Sequence, residues 1–255
     1  MSGSAPSRAL AECAVAARGY ALTHRLTNAP APLLTEHDES AFDHLLLFAP
    51  TAKGESGRST LASAQADALS AALPADLSPQ RLYDFVERSG NILLVLSPQL
   101  SELWRDFARE FAVDFDDRET RVVDHFQFHP VLDDGSHSAL RLSLDATPTP
   151  IISNATRDGP PVVYRGIAHA AGSQPLSIPI LRASPSAYSV DRNFVGTAEE
   201  TFLSGTAVTL VSALQAKNNA RITFVGSMDL FSDEFATQSD ESRYVDSSRV
   251  RRAAS

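Results

Sequence analysis

The segment LQAKNNARITFVGSMDLFSDEF, residues 214–235, joins an apolar strand pattern to a group of acidic and aromatic side chains. A serine directly after a strand can act as a nucleophile when a histidine base lies within hydrogen-bond reach, and nearby carboxylates can move protons. The same residue types also cap short helices, because their oxygens accept hydrogen bonds from free backbone N–H groups. We call the residues after the strand the elbow, and its candidate site residues are Gly226, Ser227, Asp229, Phe231 and Asp233.

A nucleophile elbow of the G-x-S-x-G type would favour the catalytic interpretation. The sequence VGSMD supplies Gly226 and Ser227, but no second glycine follows two residues after the serine. The single cysteine, Cys13, lies in a predicted helix and not at a strand end. The pattern therefore favours a helix cap or Asx turn at Ser227 and Asp229. A stand-alone hydrolase or amidotransferase that uses Ser227 with one of the seven histidines stays as the alternative.

A second group of titratable residues lies in VVDHFQFHPVLDDGSH, residues 122–137. On a helix, His125 and His129 would share a face, as metal-ligating histidines often do. Pro130 and the flanking valines and phenylalanines instead predict a strand that ends in a turn, with the two histidines about 13 Å apart. We therefore predict a solvated strand end in preference to a metal site. The titratable residues are Asp124, His125, His129, Asp133, Asp134 and His137.

The composition excludes several kinds of binding partner and cofactor. The 255 residues are 43% hydrophobic and 21% charged, which is ordinary for a globular protein. A net charge of −9 with scattered Lys and Arg makes nucleic acid an unfavourable partner, and Cys13 alone can form no intrachain disulfide. The longest apolar runs, LLLFA and ILLVL, are far shorter than the ~20 residues that span a bilayer. No glycine-rich nucleotide motif occurs, and we predict no cofactor.

Helix and strand patterns alternate through the first 111 residues, which is typical of parallel strands joined by crossover helices. One strand, FDHLLLFAP at residues 42–50, has the continuous apolar run of a strand buried on both faces. The predicted helices span residues 7–18, 63–73, 78–88 and 99–111, and the other predicted strands begin at Tyr20 and Asn91. The last helix places one apolar face toward the core, formed by Leu100, Leu103, Trp104, Phe107 and Phe111.

The second half of the chain has a different pattern, with short strands and turns between residues 120 and 190. Strands at 205–216 and 220–227 then form a predicted hairpin across Lys217, Asn218 and Asn219. We predict an α/β fold with a mostly parallel sheet flanked by helices and with added antiparallel strands in the second half. One domain covers residues 1–235, with an α/β part at about 1–115 and a β-richer part at about 116–235. Residues 236–255 form a polar, disordered tail.

Residues 214–235 closely resemble the luminal domain of the 48 kDa, or WBP-type, subunit family of the oligosaccharyltransferase. Upstream segments resemble the same family in the same order from about Gly19 to Phe235, including FDHLLLFAP, VERSGNILLVLSP and PVVYRGIAHAAGSQPLSIPIL. The residues that fit the family's hallmark segment are Leu214, Gln215, Ala216, Asn218, Asn219, Ala220, Arg221, Phe224, Gly226, Ser227, Asp229, Phe231, Ser232, Asp233 and Phe235.

The resemblance implies a non-catalytic subunit of the oligosaccharyltransferase, a membrane complex of the endoplasmic reticulum. In that complex another, multi-spanning subunit uses a divalent metal to transfer a dolichol-linked oligosaccharide to asparagine in N-x-S/T acceptors. The implied fold is like that of an amidotransferase or flavodoxin that has lost its nucleophile. The other subunits, including the catalytic one, are the implied partners. The implied compartment is the lumen, where the Asn154-Ala155-Thr156 acceptor sequence could be glycosylated.

The family normally starts with a signal peptide and an apolar strand, and it continues into a β-rich domain and a transmembrane helix. We therefore expect the chain to be a fragment or a shortened product, attached to a membrane only through a C-terminal helix that it lacks. An intraflagellar-type scaffold that shares the domain stays as a further alternative. In either non-catalytic interpretation, Phe231 and Phe235 pack in the core or contact a partner.

Overall fold

The computed structural model describes residues 9–25, 35–36, 39–48, 77–144, 160–171, 177–191 and 203–237. Three predictions fall outside these ranges: the helical turns at 63–73, the acceptor Asn154, and the tail from residue 238. The described helices are α1 (Ala9–Ala17), α2 (Pro79–Glu87) and α3 (Glu102–Glu110), and residues 233–237 are also helical; short 3-10 turns lie at Gly205–Ala207 and Asp229–Phe231. Among these helices, none combines the length and the apolar character needed to cross a membrane.

Thirteen strands form the described sheets, and most are short. The strands are β1 (Thr35–Glu36), β2 (Glu39–Ser40), β3 (His44–Phe48), β4 (Asn91–Val95), β5 (Val113–Phe115), β6 (Thr120–Val123), β7 (Leu140–Leu142), β8 (Val162–Tyr164), β9 (His169–Ala171), β10 (Ser177–Arg182), β11 (Tyr188–Asp191), β12 (Thr209–Gln215) and β13 (Arg221–Val225). Three pairs, β1–β2, β6–β11 and β7–β8, stand apart from the main sheet, which has seven strands.

The sequence signals at helix ends account for α2 and α3. Ser78 precedes α2 and its hydroxyl accepts a hydrogen bond from the Arg81 amide at 3.4 Å, while Pro79 occupies the first helical turn. In α3, Trp104 and Phe107 are buried, as their spacing predicts. Both helix predictions are therefore confirmed within a few residues of their ends.

The main sheet is mixed, and this corrects the prediction of a mostly parallel sheet. Parallel pairing is confined to β3, β4 and β13 in the described sheet, with β4 in the middle of the three. The predicted hairpin then turns the chain, so β12 runs antiparallel to β13 with Val211 opposite Val225. The remaining pairs, β12 with β10, β12 with β9 and β9 with β5, are also antiparallel. The α/β fold class, the parallel strands of the first half and the antiparallel hairpin are therefore predicted correctly from the sequence, but the sheet as a whole is not mostly parallel.

Strand β9 continues the sheet beyond the point where β13 ends. Thr209 in β12 pairs with Arg182 of β10 and also with His169 of β9. A strand can pair with one neighbour on each side, and β10 pairs with one side of β12. Strand β9 therefore pairs with the other side of β12, the side on which β13 pairs farther along the strand. The chain just before β9 consequently lies next to the elbow.

The central strands separate two hydrophobic cores. Leu94 of β4 and Phe224 of β13 belong to one core, whereas their neighbours Val95 and Val225 belong to the other. This alternation follows from the two-residue period of a strand. Helices α2 and α3 cover the first core, and the short strands of the second half cover the other. The elbow thus leaves the sheet between a helical layer and a β-rich layer.

Two predictions about the first fifty residues are wrong for the part that the structure describes. Residues 20–25 form no strand, because the alternating apolar residues there find no partner strand among the described segments. Strand β3 is not buried on both faces: Leu47 is buried, but Leu46 is 40% exposed at the end of the strand order. Helix α1 forms as predicted and is followed by Gly19 at a φ of +86°, but none of its residues is buried.

Candidate functional site

Gly226 lies where the end of β13 meets the segment that precedes β9. Its carbonyl accepts a hydrogen bond from the Ile167 amide at 2.9 Å, and its own amide donates to the Leu210 carbonyl at 3.2 Å. A Cβ at Gly226 would overlap the Ile167 carbonyl oxygen and lie 2.6 Å from the Tyr164 hydroxyl. A side chain at Gly226 would therefore crowd this turn.

Gly166 faces Gly226 across the same contact, and sequence reasoning did not single it out. A Cβ at Gly166 would overlap the Gly226 carbonyl oxygen and lie 2.9 Å from Cβ of Ser227. The available signal was a glycine between two strand-like segments, which often marks a close approach of two backbones. The two glycines together let the segments touch.

Ser227 forms the cap that the sequence favours and has no histidine among its hydrogen-bond partners in the described structure. Its buried hydroxyl donates to the Arg165 carbonyl at 2.7 Å and accepts from the Leu230 amide at 3.1 Å. The second bond satisfies an N–H at the start of the 3-10 turn. Because the Ser227 hydroxyl donates its proton to a backbone carbonyl and is buried, the geometry does not favour the Ser227 hydrolase.

The hydrogen-bond partner of Asp229 is not the one expected from the sequence, which predicts that its carboxylate accepts backbone N–H bonds at a helix start. Its Oδ2 instead accepts a hydrogen bond from Nε of Arg165 at 2.8 Å. The Arg165 guanidinium also lies over the Phe235 ring, 5.1 Å from its centroid. The partner of the Asp229 carboxylate is therefore a distant arginine and not a local backbone amide. Arg165 could not be identified from the sequence, because the sequence does not show which distant segments are in contact.

The last elbow residues attach it to the beginning of the chain. The Asp233 carboxylate accepts hydrogen bonds from the backbone amides of Ala9 at 3.2 Å and Leu10 at 2.9 Å, which caps the start of α1. Phe231 packs edge-on against Phe48 of β3, with ring centroids 5.6 Å apart. Phe235 is only 3% exposed, so the packing interpretation of this ring is confirmed.

A polar cleft opens beyond the carboxyl ends of β4 and β13, where open α/β sheets tend to bind ligands. Its volume is about 290 Å³. Of the elbow residues, only Asp229 lines it. The described lining residues carry both signs of charge and provide no pair of nucleophile and histidine base. They are Ser97, Pro98, Gln99, Glu119, Arg121, Asp134, Ser138, Arg165, Gly166 and Asp229.

The histidine and aspartate residues after β6 form a hydrogen-bonded turn, as predicted. The Asp133 carboxylate accepts hydrogen bonds from four backbone amides at 2.8 to 3.2 Å. Burial opposes ionisation of Asp133, but these bonds outweigh it and hold its pKa below the ordinary value. The Asp124 pKa is lowered in the same way, against its burial, by hydroxyl and amide donors. Within the described ranges, no group of three or more titratable or thiol ligands is arranged for a metal ion.

Two histidines of this turn contact each other directly. Nδ1 of His125 lies 2.6 Å from Nδ1 of His137, and Nε2 of His125 lies 2.9 Å from the Tyr188 hydroxyl. The Phe128 ring stacks on His137 with centroids 4.2 Å apart. His129, by contrast, is buried and its Nδ1 accepts local amide hydrogen bonds. The turn thus brings His125 and His137 together and keeps His129 apart from them.

A buried serine–histidine pair lies in the main sheet and was missed by sequence reasoning. Nε2 of His169 lies 2.9 Å from the Ser212 hydroxyl, and the His169 ring stands 4.8 Å from that of Phe115. Burial lowers the His169 pKa to about 3, and its Nδ1 has no hydrogen-bond partner among the described residues. Both side chains are fully buried, so a substrate cannot reach the hydroxyl.

Sequence comparisons identify relatives over most of the chain. The model of the family described as OST48, N-terminal domain, matches residues 14–250. The chain is 33% identical over 221 residues to the dolichyl-diphosphooligosaccharide–protein glycosyltransferase 48 kDa subunit of Caenorhabditis elegans, which covers 86% of this chain and 45% of that protein. The 48 kDa subunit of Drosophila melanogaster is 31% identical over 225 residues, which is 86% of this chain and 46% of that protein.

A fungal relative and a solved structure extend the comparison. Subunit wbp1 of the same glycosyltransferase from Schizosaccharomyces pombe is 30% identical over 203 residues, 79% of this chain and 41% of that protein. The solved mmIFT52 N-terminal domain is 16% identical, with a TM-score of 0.47 over 66% of this chain and 67% of that chain. The chain spans about half the length of the curated relatives it matches.

Proposed function

The chain belongs to the OST48 N-terminal domain family, and from this membership we propose that it acts as a non-catalytic subunit of the oligosaccharyltransferase complex. That complex transfers a dolichol-linked oligosaccharide to asparagine in N-x-S/T acceptors. The observation that carries the proposal is the family match over residues 14–250, together with relatives that are named as subunits of this glycosyltransferase. Its role is to assemble or stabilise the complex.

A catalytic role for another, multi-spanning subunit follows from the same proposal. The elbow supports it because Ser227, Asp229 and Asp233 use their side-chain oxygens in bonds that hold the fold together. The Ser212–His169 pair supports it because both members are buried. These side chains therefore stabilise the subunit, while the chemistry takes place elsewhere in the complex.

The proposed architecture is an amidotransferase-like or flavodoxin-like domain over residues 1–235, without the nucleophile. The parallel strands β3, β4 and β13, with helices α2 and α3 over one face, support this assignment. The cleft beside Asp229 lies at the edge where such sheets bind ligands, so the elbow and the cleft form the proposed contact surface for a ligand or a neighbouring subunit.

The proposed location is the lumen of the endoplasmic reticulum. In that compartment the Asn154-Ala155-Thr156 sequence would meet the transferase. Expressed as part of its full-length protein, the chain should therefore shift in mobility after endoglycosidase treatment, and Asn154→Gln should abolish the shift. A shift that persists in Asn154→Gln would assign the sugar to another position.

Affinity purification of the tagged full-length protein tests the proposed function. We expect the multi-spanning transferase subunit to co-purify in an amount comparable to the tagged protein. Recovery of the tagged protein in good yield without that subunit would contradict the proposal. A hydrolytic activity of the purified protein that disappears in Ser227→Ala would instead support the stand-alone enzyme.

A further inference from the structure

The polar cleft beyond the carboxyl ends of β4 and β13 contains two guanidinium groups whose positive charges are balanced by neighbouring carboxylates. Nε of Arg165 donates a hydrogen bond to Oδ2 of Asp229 at 2.8 Å. Hydrogen bonds from the Ser136 hydroxyl and amide, together with the charge of Arg121, hold the pKa of Asp134 below its ordinary value. The cleft therefore offers fixed donors and acceptors with little uncompensated positive charge.

Both guanidinium groups keep hydrogen-bond donors for a ligand, because an arginine side chain has several N–H groups in a fixed fork. Among the described residues, the Arg165 guanidinium uses one N–H on the elbow, and Nη1 of Arg121 donates to the Ser136 hydroxyl at 3.3 Å. The exposed residues Glu119 and Gln99 line the same cleft and carry oxygen acceptors. The cleft thus combines charged donors with carboxylate and amide acceptors.

Backbone hydrogen bonds between separate segments fix the walls of the cleft. The Glu119 amide donates to the Pro98 carbonyl at 2.7 Å, which joins the segment after β5 to the segment after β4. The Val122 amide donates to the Gly166 carbonyl at 3.1 Å, which joins β6 to the segment before β9. A site that is formed before its ligand arrives loses little conformational entropy on binding.

The size and the lining of the cleft exclude most classes of ligand. Its volume of about 290 Å³ lies at the lower end of small-molecule sites, which span about 300–1,000 Å³. Pro98 is the single apolar side chain among the described lining residues, so a lipid chain or an aromatic ring finds little apolar surface there. Three carboxylates against two guanidinium groups, in a chain of net charge −9, disfavour an anion. The part of the chain that the structure describes holds no group of three or more ligands for a metal ion.

We infer that the cleft binds one uncharged sugar residue of a glycan, with Arg121 and Arg165 donating to its oxygens and Glu119 accepting from its hydroxyl groups. A sugar hydroxyl is both a donor and an acceptor, so it uses both kinds of group in the cleft. Asp229 holds Arg165 in place and makes no contact with the sugar. The inference rests on the proposed function, because the proposed complex handles an oligosaccharide. The site binds the sugar, and the transfer chemistry takes place in another subunit.

Titration of the isotope-labelled chain with neutral sugars, followed by NMR, tests the site directly. The probes are methyl α-mannoside, methyl α-glucoside and N-acetylglucosamine. At least one of these sugars should give saturable shifts at the amides of Gln99, Glu119 and Gly166, which line the cleft. The absence of saturable shifts at these amides with all of the probes would overturn the inference.

Two variants measure what the cleft side chains contribute to the affinity for that sugar. Arg121→Met should weaken binding at least about fivefold, because it removes charged hydrogen-bond donors. Gln99→Ala removes an exposed amide and should weaken binding by about twofold or more while Tm stays unchanged. Arg182→Met is the matched control, since Arg182 is exposed on β10 and is not among the described lining residues. Parent-like affinity in both cleft variants would place the sugar elsewhere and overturn the inference.

Sodium phosphate is the competing probe, because a pair of arginines can also bind an anion. We expect phosphate to leave the shifts that the sugar causes unchanged. Phosphate that shifts the same amides and displaces the sugar would show an anion site, and the inference would be wrong.

Kinetics of the assembled complex identify which glycan supplies the sugar. If the sugar belongs to the dolichol-linked donor, Arg121→Met in the full-length protein should raise KM for that donor and leave kcat unchanged. An unchanged KM, with weakened sugar binding by the same variant, would assign the site to the glycan of the product. Because the titration uses the chain alone, sugar binding by a protein that recovers no transferase subunit would contradict the proposed function and support the sugar site.

Discussion

In the elbow at residues 226–235 and in the turn at residues 124–137, one aspartate accepts backbone N–H bonds, but the bonds of Asp233 and Asp133 span very different distances along the chain. In the elbow, Asp233 bonds to the amide of Leu10, which lies 223 residues earlier. In the turn, Asp133 bonds to amides only two to six residues away. The same type of side chain thus joins distant segments at Asp233 and shapes a single loop at Asp133, whereas Asp124 and His125 at the start of the turn also bond to Ser186 and Tyr188.

This difference has an energetic consequence. Long-range bonds in the elbow are lost together when the domain unfolds, so damage there lowers the free energy of global unfolding. The local bonds of Asp133 in the turn hold only the backbone of residues 135–139. Damage to the turn should therefore loosen the loop more than it destabilises the domain.

Gly226→Val is expected to have the largest effect on the elbow. The valine side chain would meet the Ile167 carbonyl and the Tyr164 hydroxyl, and neither is the free end of a flexible side chain. Overpacking against backbone in a filled core should cost about 3 kcal/mol or more. Denaturant unfolding and the yield of folded protein would report the change.

Gly135→Ala is the matched control in the turn. Gly135 has a φ of +91°, and a Cβ added there would meet no other described atom within 4 Å beyond its chain neighbours. Alanine at this position therefore meets backbone strain alone, about 1–2 kcal/mol. Equal stability losses for Gly226→Val and Gly135→Ala would break the proposed contrast between the two regions.

Asp133→Ala is expected to have the next largest effect, and mainly within the turn. Four backbone amides lose their acceptor, which should cost about 2 kcal/mol after water replaces part of the bonding. Hydrogen exchange should speed up at residues 135–139 with little change in the central strands. Asp133→Asn keeps one acceptor oxygen and should give a smaller increase. Uniform loss of protection across the sheet would show that the turn supports the whole fold.

Acid should first affect the buried histidines of both regions, His169 in the main sheet and His129 in the turn. Burial keeps His169 neutral in the folded protein by lowering its pKa to about 3, whereas the unfolded chain takes up the proton near 6.5. Stability should therefore fall as pH drops from 6.5 toward 3, by up to about 1.4 kcal/mol per pH unit. The pKa values of Asp124 and Asp133 are lowered, so the stability that they contribute is lost as pH falls from the ordinary carboxyl value through these lowered values.

The measurement is the unfolding free energy of the parent and of His169→Gln at pH 6.5, 5.5 and 4.5. The variant should show a flatter dependence, because it removes the buried imidazole. Ser212→Ala should keep the slope, since it removes only a hydrogen bond and leaves the imidazole buried. His129, whose pKa is also lowered first by burial, accounts for part of the slope that remains. Identical slopes in the parent and His169→Gln would contradict this assignment.

The features that the sequence predicted well depend on neighbours along the chain. Ser78 and Pro79 mark the start of α2, and the polar turn at residues 217–219 joins β12 to β13. The cap at Ser227 is also local, since its acceptor bond spans three residues. For these features, the interactions that cause the structure lie within a few residues of each other along the chain.

The features that the sequence missed depend on which distant strands meet. Whether a strand is parallel to its neighbour depends on the route of the chain between them, so the small share of parallel pairs in the main sheet could not be deduced from strand patterns. The same holds for the Arg165–Asp229 pair, the Gly166–Gly226 contact and the Ser212 hydroxyl beside His169. Each joins segments more than forty residues apart.

The central claim is that the elbow holds the fold of a non-catalytic subunit, and Asp229→Asn tests it most directly. Asparagine keeps an acceptor for Nε of Arg165, and a pair whose side chains are 39% and 31% exposed contributes less than about 1 kcal/mol. The measurement is N-glycosylation of an acceptor in cells that depend on the variant, normalised to the amount and composition of the assembled complex. We predict glycosylation and complex abundance close to those of the parent protein. Loss of glycosylation in a complex of normal abundance and composition would contradict the account and would give Asp229 a direct part in the chemistry or in binding the donor.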